Sequence, residues 1–508
     1  MNNVQTKSNI YFESILIVTY ALHYLLNFLS HPYAAFSILA ITVLTFFYVL
    51  LMSPSKVVIA LICYIFIEGQ GRILWNYHSF FRIAFDLYCF ILVIRIFKTK
   101  KKTLSAKIVT MPIIVLFILH TLWIGLTIFN PMGAAPIYSF AAIKYYTIPF
   151  LLFFALSLID ELKDISYLKR LSFFVVIMTF LTCILCIYQM VQGENSIYGM
   201  SANYYSLFNK HKNFTGYFFR PWGTSHDAGA MAVFLNLSVG FIFIFFWKKT
   251  KTWNIVSLLL VITLSWYTLF ICQVRSASIK HTAIILSIMG IFFIRGSKRI
   301  QKVLLASSIT LVFLFAGVYF QKESVFKKFT ENTNFALTRY MSLFEPNFKH
   351  NRASTDIVLM RMKTQVNWPF GYGPGMVTNF LPGITTRRNE MIGVNLDHLW
   401  SGDNFFLFSF LELGLGAVLY ILLFLAIPLT LGVRWLKLDR QKYPTQSSLI
   451  LIVISIQVIT IVGNWGAVGL AFNPESFFYW LWSAIGIQNS SSQYFVQSIP
   501  HQNEEHVQ

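Results

Sequence analysis

Guanidinium and acid–base groups gather in the one long polar interval of this chain. Between about Gln321 and Asn404 stand Arg339, Arg352, Arg361, Arg387 and Arg388, followed by Asp397, His398 and Asp403. A guanidinium fork suits phosphate oxygens. A carboxylate or imidazole beside a membrane boundary suits a general base acting on a sugar hydroxyl. Asp403 has a second reading as the cap of the helix that Asn404 opens, and one residue can do both. Two further arginines stand alone in turns. Arg220 precedes Pro221 just before a helix expected from about Asp227, and Arg275 sits in QVRSASIK where another helix begins. A helix N-terminus with a guanidinium is a receptor for phosphate oxygens. Arg220 and Arg275 together therefore read as holding a pyrophosphate, against the alternative that they touch anionic head groups. Trp222, Trp368 and Trp400 offer flat faces to sugar rings, or mark the membrane interface.

The stretch NWPFGYGPGM, Asn367 to Met376, packs three glycines and two prolines into ten residues. Such a sequence forces a tight turn, which either brings backbone amides to a ligand or reverses the chain. No G-K-[ST] follows, so it is not a phosphate loop of the nucleotide-binding kind.

These groups must be positioned by membrane helices. The chain has 508 residues, 56% hydrophobic and 12% charged, with 51 Phe. That apolar content exceeds what a soluble core can hide. The expectation is an all-α polytopic protein of about fourteen spans, each near the 20 residues needed to cross a bilayer. They lie at roughly 11–29, 34–52, 56–69, 78–97, 107–129, 138–158, 169–191, 227–247, 253–272, 278–295, 301–320, 404–433, 447–470 and 474–488. A β-barrel would need short alternating segments instead. The domain reading is a cytoplasmic N-terminus 1–10, helices over 11–320, a large extracytoplasmic loop 321–403, helices over 404–488, and a disordered cytoplasmic tail 489–508.

The net charge is +20, from 40 Lys plus Arg against 20 acidic residues. No soluble basic domain exists to bind nucleic acid. Basic clusters at Lys98–Lys107, Lys163–Arg170, Lys248–Lys251, Arg295–Lys302 and Arg434–Lys442 are each separated by two expected spans. All fall on one side, taken as cytoplasmic. The loops 192–226, 273–277 and 321–403 then lie outside.

Within the expected spans, Arg82, Asp86 and Lys144 are costly charges. Arg82 and Asp86 could pair on one helix face, and Lys144 could line a cavity or snorkel. His23 and His120 read as packed residues. Cys183 and Cys186 have C-x-x-C spacing inside an apolar helix, where packing is the default reading.

Four stretches together resemble the O-antigen polymerase and O-antigen ligase (Wzy/WaaL-like) superfamily of membrane glycosyltransferases. Arg220-Pro-Trp-Gly-Thr is similar to its Arg-x-x-Gly-Thr/Ser segment. Val274-Arg275-Ser276-Ala277 is similar to its Ser-Arg-Gly/Thr turn. Trp368 to Gly375 is similar to its Pro-hydrophobic-hydrophobic-Gly-x-Gly motif. Asp403-Asn404, followed by Gly414, resembles its His-Asn motif. The likeness covers about Arg220 to Ala417, and Asp403 in place of His looks more like the polymerase branch.

The resemblance implies a GT-C-like enzyme of the bacterial cytoplasmic (inner) membrane with no cofactor and no metal. Its donor and acceptor would be undecaprenyl-diphosphate-linked glycans, with membrane lipids, a chain-length regulator and a flippase as further partners. It would polymerise repeat units into a surface or exopolysaccharide. Arg220 and Arg275 would hold the leaving pyrophosphate, helped by Arg352 or Arg361. Asp403, or His398, would be the base, and Asn404 would orient the base or the acceptor. A ligase, moving finished glycan to a lipid or protein, is the alternative within the family. A lipid-linked glycan transporter is the alternative outside it, which predicts repeat halves and midplane ions.

Overall fold

A computed structural model describes residues 2–75, 78, 80–99, 111–130, 136–192, 221–225, 228–247, 251–272, 274–295, 359–360, 362–364, 366, 369–375, 404–466, 470 and 474–490. The expected span 301–320 and most of the interval 321–403 lie outside them. The described residues form helices and turns, with no strand. In chain order the helices are α1 (Asn2–Phe28), α2 (Ala34–Leu51), α3 (Pro54–Leu74), α4 (Phe80–Thr99), α5 (Met111–Thr127), α6 (Pro136–Leu156) and α7 (Ile165–Gln192). Then come α8 (Ala228–Phe246), α9 (Thr252–Ile271), α10 (Arg275–Arg295), α11 (Phe405–Leu413), α12 (Gly416–Lys437), α13 (Pro444–Gly463) and α14 (Glu475–Asn489). Among the described residues eight helices are long and apolar enough to cross a membrane, the pattern of a multi-pass membrane protein.

Local chemistry sets the helix ends. Pro54 and Pro444 open α3 and α13, where a missing N–H costs nothing. Asn404 caps α11, its Oδ1 accepting the Leu407 N–H at 2.8 Å. Gly414, at φ +56°, ends α11, and α12 resumes at Gly416. The segment expected as a single span over 404–433 is therefore two helices.

The centre of the bundle is α14, every residue of which is buried. A helix apolar on all sides belongs in an interior. Trp482 stacks on Phe241 of α8 at 4.1 Å, and Trp480 packs on Phe150 of α6 at 4.4 Å. Large side chains on the outer helices face away, such as Val18, Leu51 and Leu122. This inverted distribution is what a bilayer solvates well. All five cysteines are buried, and none is in a disulfide.

Pairings along α14 show that several helices run in its direction. Lys280 of α10 meets Glu475 at its start. Phe424 of α12 packs on Tyr479, and the site of Gly486 faces Leu431 further along. At the far end Gln488 Nε2 donates to the Ser157 carbonyl just after α6, and Asn489 Nδ2 donates to the Leu162 carbonyl. Lys163, Arg295 and Arg434 thus share one end, here the basic end. The opposite end, carrying Lys280 and Glu475, is the polar end.

Candidate functional site

Four polar constructions lie toward the polar end. The first joins the glycine-rich turn 369–375 to the break between α11 and α12. The Tyr372 and Gly373 N–H groups donate to the Leu411 and Glu412 carbonyls at 2.8 and 2.9 Å, and the Leu415 N–H donates to the Pro369 carbonyl at 2.8 Å. The break leaves helix-end carbonyls without intrahelical donors, and the turn supplies those donors. Asn130, just beyond α5, donates to the Gly371 carbonyl at 2.8 Å. Trp123 of α5 donates to the Leu413 carbonyl at 2.9 Å and stacks on Phe370. Glu412, 1% exposed, accepts the Tyr146 hydroxyl at 2.5 Å and the Gly375 N–H at 3.1 Å on Oε2. Partial burial pushes the Tyr372 phenol above its ordinary range.

The second construction descends α10. Arg275 is its first residue, half-buried. Below it Lys280 Nζ lies 3.1 Å from Glu475 Oε1, which also accepts Asn464 Nδ2 at 2.9 Å. Gly463 makes room: a Cβ there would stand 2.7 Å from Lys280 Cδ. One residue on, His281 reaches Ser265 at 3.1 Å and Asn236 at 3.2 Å. A buried pair with one further hydrogen bond ties α10, α13 and α14 together, because leaving either charge alone would be expensive.

Residues 221–225 make the third. Gln189 of α7 accepts the Trp222 and Gly223 N–H groups on Oε1, at 3.2 and 2.9 Å, and returns a bond to the Gly223 carbonyl at 2.9 Å. Thr224 donates to the Phe66 carbonyl, and its own carbonyl accepts the Gln70 N–H at 2.8 Å. Gln70 in turn binds His23 and Asn27. The segment after Arg220 is thus clasped between α3 and α7.

The fourth is a charged cleft between α4, α6 and α14. Lys144 Nζ lies 2.7 Å from Asp86 Oδ2. Arg82 and Lys144 lie 5.0 and 5.1 Å from the centre of the Tyr145 ring.

Of the residues expected to bind or act on substrate, Arg275, Asn404 and Trp222 are described. Asn404 is fully buried, its amide Nδ2 donating to the Trp465 carbonyl at 2.7 Å. Trp222 is 3% exposed, its ring turned inward. Arg220, Arg352, Arg361, Trp368, His398 and Asp403 lie outside the described residues. His23 and His120 are packed: His23 bonds Ser37 and Gln70, and His120 stacks on Tyr420. Sequence reasoning missed Glu412, Glu475 and Gln189. The first two carried a signal, each being a lone carboxylate in an apolar run. Compared with known proteins, the chain matches no family model and no curated sequence.

Proposed function

We propose that the chain is a metal-independent glycosyltransferase that polymerises undecaprenyl-diphosphate-linked repeat units at the outer face of the bacterial cytoplasmic membrane. About fourteen spans would carry it, with the polar end outward and 321–403 as the outer loop. In the reaction the acceptor hydroxyl attacks the anomeric carbon of the donor sugar. The bond from that carbon to the pyrophosphate oxygen breaks, and undecaprenyl diphosphate leaves with the electron pair. Asp403, with His398 as its alternate, takes the hydroxyl proton. Arg220 and Arg275, with Arg352 or Arg361, neutralise the charge on the leaving group.

One observation carries this reading. The turn 369–375 is bonded through its backbone to the α11–α12 break, and Asn404 caps the same α11. Two stretches that resemble the superfamily's motifs are therefore one construction. Asn404 spends both ends of its amide on the Leu407 N–H and the Trp465 carbonyl. That favours a role in fixing its neighbour Asp403 over a role in touching the acceptor.

The test is Arg275→Ala and Asp403→Asn in cells, with polymer length read on gels and membrane insertion checked by immunoblot. Each is expected to lose polymer, by roughly 100- to 1000-fold in rate. Normal-length polymer from both would end the proposal. Single repeat units left on the carrier lipid mark a polymerase, and long chains left there mark a ligase.

A further inference from the structure

Arg275 and Asn404 stand at the starts of α10 and α11, and one short turn is bonded toward both. α13 ends at Gly463, and a single 3-10 turn, Asn464–Gly466, follows it. Asn464 is fully buried, and its side-chain amide is wholly engaged. Nδ2 donates to the Thr460 carbonyl at 2.8 Å and to Glu475 Oε1 at 2.9 Å, and Oδ1 accepts the Leu470 N–H at 3.2 Å. Asparagine is often found at a helix end because it tolerates a left-handed backbone. Asn464 has φ −79°, so the backbone does not ask for it. The side chain does.

Short bonds run from this turn in two directions. Toward α10, Glu475 Oε1 also meets Lys280 Nζ at 3.1 Å, and the backbone of Gly463 lies against the Lys280 stem. Lys280 is five residues beyond Arg275 on the same helix, about 7.5 Å by helical rise. Toward α11, the carbonyl of Trp465, the next residue of the turn, accepts Asn404 Nδ2 at 2.7 Å. Asn404 Oδ1 then accepts the Leu407 N–H at 2.8 Å. The Trp465 ring backs that bond, packing on Phe406 at 5.4 Å and against the cluster of Val366, Leu407 and Leu411. Asn404 follows Asp403 in the chain, so holding Asn404 holds the Cα of Asp403 about 3.8 Å away.

We infer that Asn464 is a positioning residue for the proposed transfer: through the Trp465 carbonyl on one side and the Glu475–Lys280 pair on the other, it sets where the start of α11 stands relative to Arg275. The inference rests on the reaction proposed above, in which Arg275 meets the leaving pyrophosphate and the residue before Asn404 takes the proton. Those two groups must meet one donor and one acceptor at the same moment. A misplacement of about 1 Å between them can cost roughly 100-fold in rate. Asn464 itself touches no substrate in this scheme.

The test uses the full chain in mild detergent, supplied with the undecaprenyl-diphosphate-linked repeat unit extracted from a deletion strain. Rates are taken per folded molecule, counted by size-exclusion chromatography. For Asn464→Ala, kcat is expected to fall roughly 10- to 100-fold. KM for the repeat unit should not change, the pattern of an arrangement that matters only in the transition state. Hydrogen exchange at the Leu407 amide should quicken while amides in the middle of α8 stay protected. Gly463→Ala, which pushes the Lys280 stem from the same turn, should lower kcat in the same way and keeps the test valid if Asn464→Ala does not fold. A lower melting temperature with wild-type kcat would show a structural clasp only and overturn the inference. So would a raised KM at wild-type kcat, or an unchanged Leu407 amide. A wild type that makes no polymer would end the proposed reaction and this inference with it, and the wild-type control tells that failure from the others.

Discussion

Gly371 and Gly414 lie back to back, both with left-handed backbones, at φ +67° and +56°. A Cβ on Gly371 would stand 2.6 Å from the Gly414 nitrogen, and one on Gly414 would stand 2.5 Å from the Gly371 nitrogen. The chain there touches main chain to main chain, and only glycine at both positions permits it. Gly371→Ala or Gly414→Ala should each destabilise the detergent-solubilised protein by about 2 kcal/mol or more, from the left-handed penalty plus the clash. Loss of the Trp123–Phe370 stack should appear as a change in tryptophan fluorescence. Unchanged melting and fluorescence for both variants would contradict the docked turn.

Glu412 is held by the Tyr146 hydroxyl and the Gly375 N–H. Glu412→Ala should cost about 1–3 kcal/mol, because it strands a buried hydroxyl. Glu412→Gln, which keeps an acceptor oxygen, should cost clearly less. Thermal melts of the two variants compare them directly, and equal losses would mean that the carboxylate is idle.

The Lys280–Glu475 pair predicts a non-additive cycle. Lys280→Met alone and Glu475→Leu alone should each destabilise by about 3–5 kcal/mol, since each leaves a buried charge unanswered. The double variant should recover most of that loss. Additive losses in the cycle would show that the two charges do not interact.

Gln189→Leu removes the acceptor of two N–H groups and the donor to one carbonyl in 222–223. Stranded groups cost about 1–3 kcal/mol each, and the damage should be local. Hydrogen exchange should accelerate at Trp222, Gly223 and Thr224 while amides in α14 stay protected. Uniform acceleration across the bundle would point to global loosening instead.

Much of the helical order was legible as apolar run length. The segments expected at 227–247 and 474–488 correspond to Ala228–Phe246 and Glu475–Asn489. The segment expected at 56–69 fell short of the true α3, Pro54–Leu74. Glu68, Gln70 and Arg72 lower the hydropathy there. The reason they fit inside a helix bundle is tertiary: Gln70, for one, meets His23 and Asn27 from α1. The break at Gly414 was hidden for a similar reason, because the turn that satisfies it comes from 40 residues earlier in the chain. Helical spacing offered Arg82 as a partner for Asp86, and it could not offer a residue from another helix. The structure pairs Asp86 with Lys144 on α6, a neighbour that no local pattern could announce. Two motifs that looked separate in the sequence, the glycine turn and Asn404 with Gly414, turned out to be halves of one junction.

The helix at the middle of the bundle follows every other described helix in the chain. A ribosome releases α14 only after α6, α8, α10, α12 and α13 are already in the bilayer. Until then Lys280 lacks its carboxylate, and Phe150 and Phe241 lack the tryptophans they pack on. The helices made before α14 therefore carry an ammonium whose carboxylate partner comes later in the chain. A chain cut before Glu475 would lack the helix that is buried along its whole length.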